Sequence, residues 1–224
     1  MIQGGKDITV FMLASAIITS DFRIPYHSIL RNNTTLTYSM KASLWLYPPT
    51  NSRQMLREQI AHLAHLTPLG SGPFEPHITL VGNIDVESDD EALEICQNLR
   101  DLLEGRYRNG IVCQFEEDIV SMQNTDGEFV WNQAFVLALK QTVSLNGIKE
   151  DVCAAFGIDP TYPPPICKPH LSLFYGKYQV PPTDAVVPPC DFIATTLGLW
   201  SCLPASVEGV REWREIGSEI DLLA

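Results

Sequence analysis

The sequence predicts an α+β fold with two lobes that meet at a pseudo-symmetric cleft. Strand and helix patterns alternate through the first half of the chain, and strands, one helix and further strands follow in the second half. A short phrase, Pro76–Leu80, returns as Pro169–Leu173, so that each half carries one copy. The copies lie too far apart for a solenoid repeat, and there are only two of them.

The first half opens with a strand that begins near Met40, in which apolar positions alternate, and ends at Pro48-Pro49. Asn51 is a candidate N-cap of a helix that ends at Thr67-Pro68. The first copy of the repeated phrase forms the next strand. Ser88 and Glu91 then form a capping box for a second helix. This helix is predicted to reach about Arg106, with Leu93, Cys96, Leu99, Leu102 and Leu103 on its apolar side.

The second half contains further strands around the second copy of the phrase. The turn residues at 124–127 predict a hairpin, Gly157 stops a helix, and a proline-rich connection spans 160–165. The predicted elements are strands near 112–122, 129–141, 192–201 and 208–216, and a third helix from Ser144 or Asn146 to Phe156.

The composition indicates a folded, acidic protein. Of the 224 residues 45% are hydrophobic, and 27 acidic against 15 basic residues give a net charge of −12. Long nucleic acids bind mainly through Lys and Arg that neutralise phosphates, so this charge argues against an extended duplex as ligand. A small anion would have to be held by local hydrogen-bond donors.

Six cysteines occur without a CxxC pair, which argues against a zinc ribbon and a disulfide framework and predicts that most of them are buried thiols in a reducing compartment. Cys167 precedes His170 by three residues and could be a nucleophile, although a structural role is the better interpretation. His62 and His65 lie three apart on the first helix. Because no third ligand is evident, we interpret them as a helix face.

Residues 1–40 differ from the rest and are a leader or tail of uncertain role, while 41–224 form the predicted domain. The apolar run at 8–18 is too short to span a bilayer, which needs about 20 residues. Its length suits the h-region of a signal peptide, roughly 7–15 residues, but the preceding charges are balanced. We expect no transmembrane segment, and an intracellular protein, cytosolic or Golgi-associated, with secretory targeting left open.

The repeated sequence motif contains the candidate catalytic residues. Side chains of a strand share a face at every second residue, so His77 lies beside Thr79, and His170 beside Ser172. Two such pairs facing each other would hold a phosphate and move protons around it without a metal ion. Histidine suits both proton donation and acceptance because its ordinary pKa is about 6.5, and hydroxyls can donate to the phosphate oxygens. We hypothesise that His170 activates water and that His77 protonates the leaving oxygen.

The segments Glu75–Gly82 and Lys168–Gly176 resemble the paired signatures of the two-histidine phosphoesterase superfamily. Together with the opening strand Lys41–Pro48, they are most similar to the fungal and plant cyclic phosphodiesterases, the 2',3'-cyclic-nucleotide 3'-phosphodiesterases. The resemblance covers about residues 41–216. It implies a bilobal fold of two antiparallel sheets flanked by helices, with the active site in the central cleft.

The same resemblance implies metal-independent, cofactor-free hydrolysis of nucleoside 2',3'-cyclic phosphates to 2'-phosphates. It also implies hydrolysis of ADP-ribose 1'',2''-cyclic phosphate, a by-product of tRNA splicing. By motif position, His77 and His170 are catalytic, Thr79 and Ser172 bind phosphate, and Tyr175 lines the substrate pocket. The expected partner is a small cyclic nucleotide or ADP-ribose cyclic phosphate bound by a monomer, with no long nucleic acid.

Three alternatives remain open. One is an enzyme of the same superfamily that acts on RNA ends, one is a nucleotide-binding module without turnover, and one is a secreted protein with paired cysteines. Trp131 and Trp200 could stack on a base or pack in the core. Lys168 and Lys177 flank the second motif and could attract phosphate or simply lie at the surface.

Overall fold

The computed structural model describes residues 40–67, 70–120, 133–159, 169–176 and 190–224. Residues 1–39 of the leader, the turn at 124–127 and the connection at 160–165 lie outside these ranges, as do Trp131, Cys167, Lys168 and Lys177. Within the described ranges, no helix is long and apolar enough to cross a lipid bilayer.

The described residues form strands and helices in an alternating order. The strands are β1 (Met40–Tyr47), β2 (Ile78–Val86), β3 (Ile111–Cys113), β4 (Phe115–Val120), β5 (Gln133–Leu139), β6 (His170–Tyr175), β7 (Phe192–Ala194), β8 (Thr196–Ser201) and β9 (Arg214–Asp221). The helices are α1 (Thr50–Leu66), α2 (Asp89–Leu103) and α3 (Val143–Ala155), and a 3₁₀ turn spans Gly209–Glu212.

Seven strands form one antiparallel sheet in the order β4-β5-β6-β2-β1-β8-β9, and β3 pairs with β7 in a small second sheet. The α+β prediction is therefore confirmed. The predicted lobes correspond to two wings of the large sheet. The first wing is β2-β1-β8-β9 and the second is β4-β5-β6. They join between β2 and β6 through a single registered pair, Ile78 with Leu171.

The main core lies where the helices cover the sheet. Each helix contributes a stripe of buried side chains at helical spacing. Burial of each large apolar side chain contributes about 1.5–3 kcal/mol. The helix residues of this core are Leu56, Ile60, Leu63, Ala92, Cys96, Leu99, Leu103, Leu145, Ile148, Val152, Cys153 and Ala155.

The predicted helix ends are partly confirmed. Ser88 caps α2 by accepting a hydrogen bond from the Glu91 amide at 3.1 Å, and Gly157, with a φ of 64°, follows the end of α3. Asn51 is not a cap, because α1 already begins at Thr50, directly after Pro49. The N-cap of α3 is Thr142, two residues before the earlier of the two predicted start points.

Four other predictions differ from the structure. Leu93 is 50% exposed, and α2 ends at Leu103 rather than near Arg106. The segment 192–201 is two strands, because β7 pairs with β3 whereas β8 pairs with β1 and β9. The segment 208–216 begins as the 3₁₀ turn and becomes β9 only at Arg214.

Candidate active site

The two copies of the repeated phrase meet at the junction of the wings. Ile78 and Leu171 form the one registered pair there, and both side chains are fully buried. In an antiparallel register the neighbouring positions bring His77 beside Ser172 and Thr79 beside His170. Opposed residues in such a pair have Cβ atoms about 4.5–5.5 Å apart, and diagonal ones about 7–8 Å. The fold therefore brings both motifs together, as predicted.

A cavity of about 490 Å³ opens beside this junction. His77, Thr79, His170 and Tyr175 all line it. Every residue from 77 to 83 contributes, although side chains of a strand alternate between faces. The cavity therefore runs along the edge of β2, which its single pairing with β6 leaves open.

His77 is held from two sides. Its ring lies against the indole of Trp45, with the ring centroids 3.5 Å apart and the planes inclined by 5°. Its Nδ1 lies 2.6 Å from the backbone carbonyl oxygen of Glu75. A carbonyl oxygen can only accept a hydrogen bond, so Nδ1 carries a proton and Nε2 is the remaining titrating atom.

Burial and, to a smaller extent, the charge of the nearby His170 lower the pKa of His77 to about 3, against the opposing effect of the bond to the Glu75 carbonyl. His77 is 3% exposed, so that a charged imidazole would lose most of its hydration. His77 is therefore neutral at pH 7 in the unliganded protein. His170 is less buried and lines the same cavity as His77.

Glu75 itself is clamped by α1. Its carboxylate accepts two hydrogen bonds from Arg57, at 2.8 and 3.0 Å, and one from Arg53. The backbone carbonyl that orients His77 thus belongs to a residue whose side chain is tied to a neighbouring helix. No local pattern predicts this clamp, because it joins residues about twenty positions apart in the chain.

Tyr175 reaches the cavity through an irregularity in β6. An ideal strand would place Tyr175 on the face opposite to His170, since the two positions are an odd number apart. The pairing of β5 with β6 shifts register at two places between Gln133 and Val136. Leu173 and Phe174 both join the main core, and Tyr175 joins the face that carries the histidines.

Ser172 occupies a different position from its counterpart Thr79. Thr79 is exposed to the cavity, whereas Ser172 is 3% exposed and is hydrogen-bonded to the side chain of Tyr175. Burial raises the pKa of Tyr175, so its hydroxyl keeps its proton at neutral pH. The second motif thus presents Tyr175 and His170 to the cavity, with Ser172 behind them.

Aromatic residues build the wall behind His77. Trp200 stacks on Trp45 with ring centroids 4.4 Å apart and donates its indole N–H to the hydroxyl of Tyr47. Tyr47 in turn donates to Glu215 at 2.9 Å. Of the two interpretations of Trp200, packing is the one that the structure supports. The role of Trp45 was missed in the sequence, where it reads as an ordinary strand residue.

The cysteines near the cavity are protonated thiols. Burial raises the pKa of Cys202 to about 11 and also raises that of Cys153. Because the thiolate is the reactive form, neither is an activated nucleophile at neutral pH. The described cysteines, Cys96, Cys113, Cys153, Cys190 and Cys202, are all free.

His62 and His65 are both exposed on α1, as expected of a helix face. Across the described residues, no group of three or more His, Cys, Asp or Glu side chains is arranged to hold a metal ion.

Comparison with known families gives the site its context. Residues 40–187, well over half of the chain, match the model of the family described as cyclic phosphodiesterase-like protein. The chain belongs to this cyclic phosphodiesterase-like family. Membership supports phosphodiesterase activity. No curated protein sequence matches the chain significantly.

Solved structures resemble the fold of this family member. The chain is 17% identical to Escherichia coli LigT complexed with NADP+, with a TM-score of 0.50, covering 83% of this chain and 99% of that one. LigT complexed with 3'-AMP is 16% identical, with a TM-score of 0.49 and the same coverage. TT0787 of Thermus thermophilus is 15% identical, with a TM-score of 0.48 and again the same coverage.

Proposed function

We propose that the protein hydrolyses nucleoside 2',3'-cyclic phosphates to nucleoside 2'-phosphates, and ADP-ribose 1'',2''-cyclic phosphate to ADP-ribose 1''-phosphate. The observation that carries this proposal is the meeting of His77 and His170 in one cavity, each from its own wing of the sheet. Opening a cyclic phosphate needs one group to take a proton from water and one to give a proton to the leaving oxygen. The two imidazoles can supply both.

The proposed roles follow the positions of the motifs. His170 activates the attacking water, and His77 protonates the departing 3'-oxygen. Thr79 donates a hydrogen bond to a non-bridging phosphate oxygen. Ser172 acts on the same phosphate either directly or through the hydroxyl of Tyr175, to which it is bonded. Tyr175 forms part of the substrate pocket.

His77 must be protonated to act as the acid, yet it is neutral in the unliganded protein. A bound phosphate supplies the negative charge that favours the imidazolium. The Nδ1–H bond to the Glu75 carbonyl already favours the charged form. We therefore propose that His77 takes up its proton as the anionic substrate binds, so that the acid is produced only in the complex.

The test is product analysis by phosphorus NMR after incubation with 2',3'-cyclic AMP in excess chelator. The expected product is adenosine 2'-phosphate, with chelator leaving the rate unchanged. Glutamine at His77 or His170 should lower the rate by about 10²–10⁴-fold. His62→Gln is the matched control, because His62 is exposed on α1. Formation of the 3'-phosphate, or full activity of both variants, would refute the proposal.

The division of labour needs a separate assay. A substrate with a very good leaving group needs no proton from the acid, so it should selectively rescue His77→Gln and leave His170→Gln inactive. Rescue of His170→Gln instead would reverse the two roles.

A cyclic phosphodiesterase acting on RNA ends is the second candidate. The cavity is open along β2, which would admit a terminal nucleotide, but the net charge of −12 opposes a long RNA. Comparing cyclic mononucleotides with an oligonucleotide that ends in a cyclic phosphate separates these candidates.

Four further expectations belong to the first proposal, the hydrolysis of small cyclic phosphates. They are the similarity to the fungal and plant branch, the link to tRNA splicing, the domain boundary at 41 and an intracellular location.

A further inference from the structure

Two lysines line the cavity in addition to the two histidines. They are Lys41 and Lys149, and among the described residues of its lining none is Asp or Glu. Lys41 is paired with Asp85 at 2.6 Å, so that its charge is already compensated. The charge of Lys149 is not compensated in this way, although the protein as a whole has a net charge of −12.

Lys149 lies on the face of α3 that borders the cavity. Leu145, Lys149 and Cys153 follow one another at intervals of four residues, which places them on one side of the helix, and all three line the cavity. Lys149 is half-buried. Within the described part of the chain it forms neither a hydrogen bond nor an ion pair. Burial raises the pKa of the neighbouring Cys153 thiol, and the charges of Lys149 and Asp159 act on this pKa in opposite directions.

A half-buried lysine that forms no ion pair with a carboxylate is a suitable site for an anion of the ligand. The cyclic phosphate of the proposed substrate is already provided for by the histidines and Thr79 on the strands. At about 490 Å³ the cavity has the volume of a site for a small molecule larger than one phosphate. Lys149 is thus available for a second anionic group.

We propose that Lys149 binds a phosphate or diphosphate of the substrate other than the one that reacts. The apolar side chains beside it on α3, Leu145 and Cys153, would then contact the sugar or base that joins the two phosphates. Selectivity for nucleotides with an additional phosphate follows, which includes ADP-ribose derivatives. The identity of the ligand rests on the proposed function, and the role of Lys149 deepens it.

Calorimetric binding of two product-like probes tests this inference without turnover. The probes are adenosine 2'-phosphate and adenosine 2',5'-bisphosphate, which differ by one phosphate. The unmodified protein should bind the bisphosphate about tenfold more tightly, the effect of one charge-assisted contact. Lys149→Met should abolish this preference and leave the affinity for the 2'-phosphate unchanged, whereas Lys149→Arg should keep it. Lys140→Met is the matched control, since Lys140 is exposed and lies outside the cavity lining.

Equal affinity of the unmodified protein for the two probes would overturn the inference, and so would a Lys149→Met variant that weakens both probes equally. The proposed function fails separately, if the preference is observed but cyclic nucleotides are not hydrolysed. Failure to bind either probe would overturn both. Thermal unfolding of Lys149→Met and Lys149→Arg checks that both variants are folded.

Discussion

The imidazole of His77 and the indole of Trp45 are stacked in parallel, 3.5 Å between centroids. Trp45 is itself covered on its other side by Trp200, so neither ring can tilt without moving the next one. The electron-rich face of an indole attracts a cation. The stack therefore fixes the orientation of His77 and favours its protonated form, while burial disfavours it.

Binding of an anion should raise the pKa of His77. In the unliganded protein this pKa is about 3, and a phosphate near Nε2 stabilises the imidazolium. NMR titration of the His77 ring carbon resonances, with and without saturating adenosine 2'-phosphate, should show a rise of at least one pH unit. The resonances of the exposed His62 serve as the internal control. An unchanged His77 titration would contradict its role as the acid.

The stability of the unliganded protein should fall below about pH 6.5. The unfolded chain protonates His77 near its ordinary pKa of 6.5, whereas the folded protein resists protonation down to about pH 3. Between these values the unfolded state binds the extra proton, so stability is lost as the pH falls, by up to about 1.4 kcal/mol per pH unit. Above pH 6.5 His77 is neutral in both states, and its protonation no longer lowers the stability.

Urea denaturation at a series of pH values measures that slope. His77→Gln should flatten it between pH 4 and 6, roughly the window set by the two pKa values. His65→Gln, at an exposed position of α1, should leave it unchanged. Identical slopes for the His77 variant and the unmodified protein would contradict the assignment.

Loss of the carboxylate clamp should lower the turnover rate more than the affinity. Glu75→Gln removes the charge that holds Arg53 and Arg57, and the carbonyl that orients His77 gains freedom. A small misplacement of a catalytic group can lower kcat by up to about a hundredfold. We expect a decrease in kcat of about tenfold with KM little changed.

The matched control for this variant is Glu58→Gln. Glu58 lies exposed on α1, where it accepts a hydrogen bond from Gln54 at 2.8 Å. Steady-state kinetics at several pH values measure both variants. A Glu75→Gln enzyme that changes KM alone would show that Glu75 contacts substrate instead of positioning His77.

Gly198 permits the close approach of Tyr47, and alanine there should destabilise the protein. A Cβ at this position would overlap the hydroxyl oxygen of Tyr47 and would lie 2.7 Å from Glu215 Oε1. Tyr47 is almost fully buried and cannot yield easily. The expected loss is about 1–3 kcal/mol, measured by urea denaturation.

Gly147→Ala is the contrasting substitution. Its Cβ would meet Tyr107 at 3.4 Å, an ordinary contact, inside α3. Alanine should stabilise the helix by about 0.5–1 kcal/mol. If Gly198→Ala and Gly147→Ala change the free energy of unfolding equally, glycine at position 198 is not needed to make room for Tyr47.

The sequence predicted those parts of the site that depend on local periodicity. The two-residue repeat placed His77 with Thr79, and the apolar residues between the polar positions, Ile78 and Leu171, are buried as expected. The capping box at Ser88 was predicted for the same reason, since all of its partners lie within one helical turn.

Contacts between distant segments could not be predicted in this way. The clamp on Glu75 joins α1 to the start of β2, and Lys149 reaches the cavity only because α3 packs beside β2. The position of Tyr175 depends on a register shift between β5 and β6. Alternation alone would have placed Tyr175 on the wrong face; only the family resemblance pointed to it.

Because only the pair Ile78–Leu171 joins the two wings, a bound ligand would add a second connection between them. A phosphate held from both motifs would brace the two wings across a boundary that the backbone closes at one point only. Occupancy should then slow amide exchange most in β2 and β6, and least in β4 and β9 at the outer edges. The enzyme in this view is completed mechanically, as well as chemically, by the molecule that it acts on.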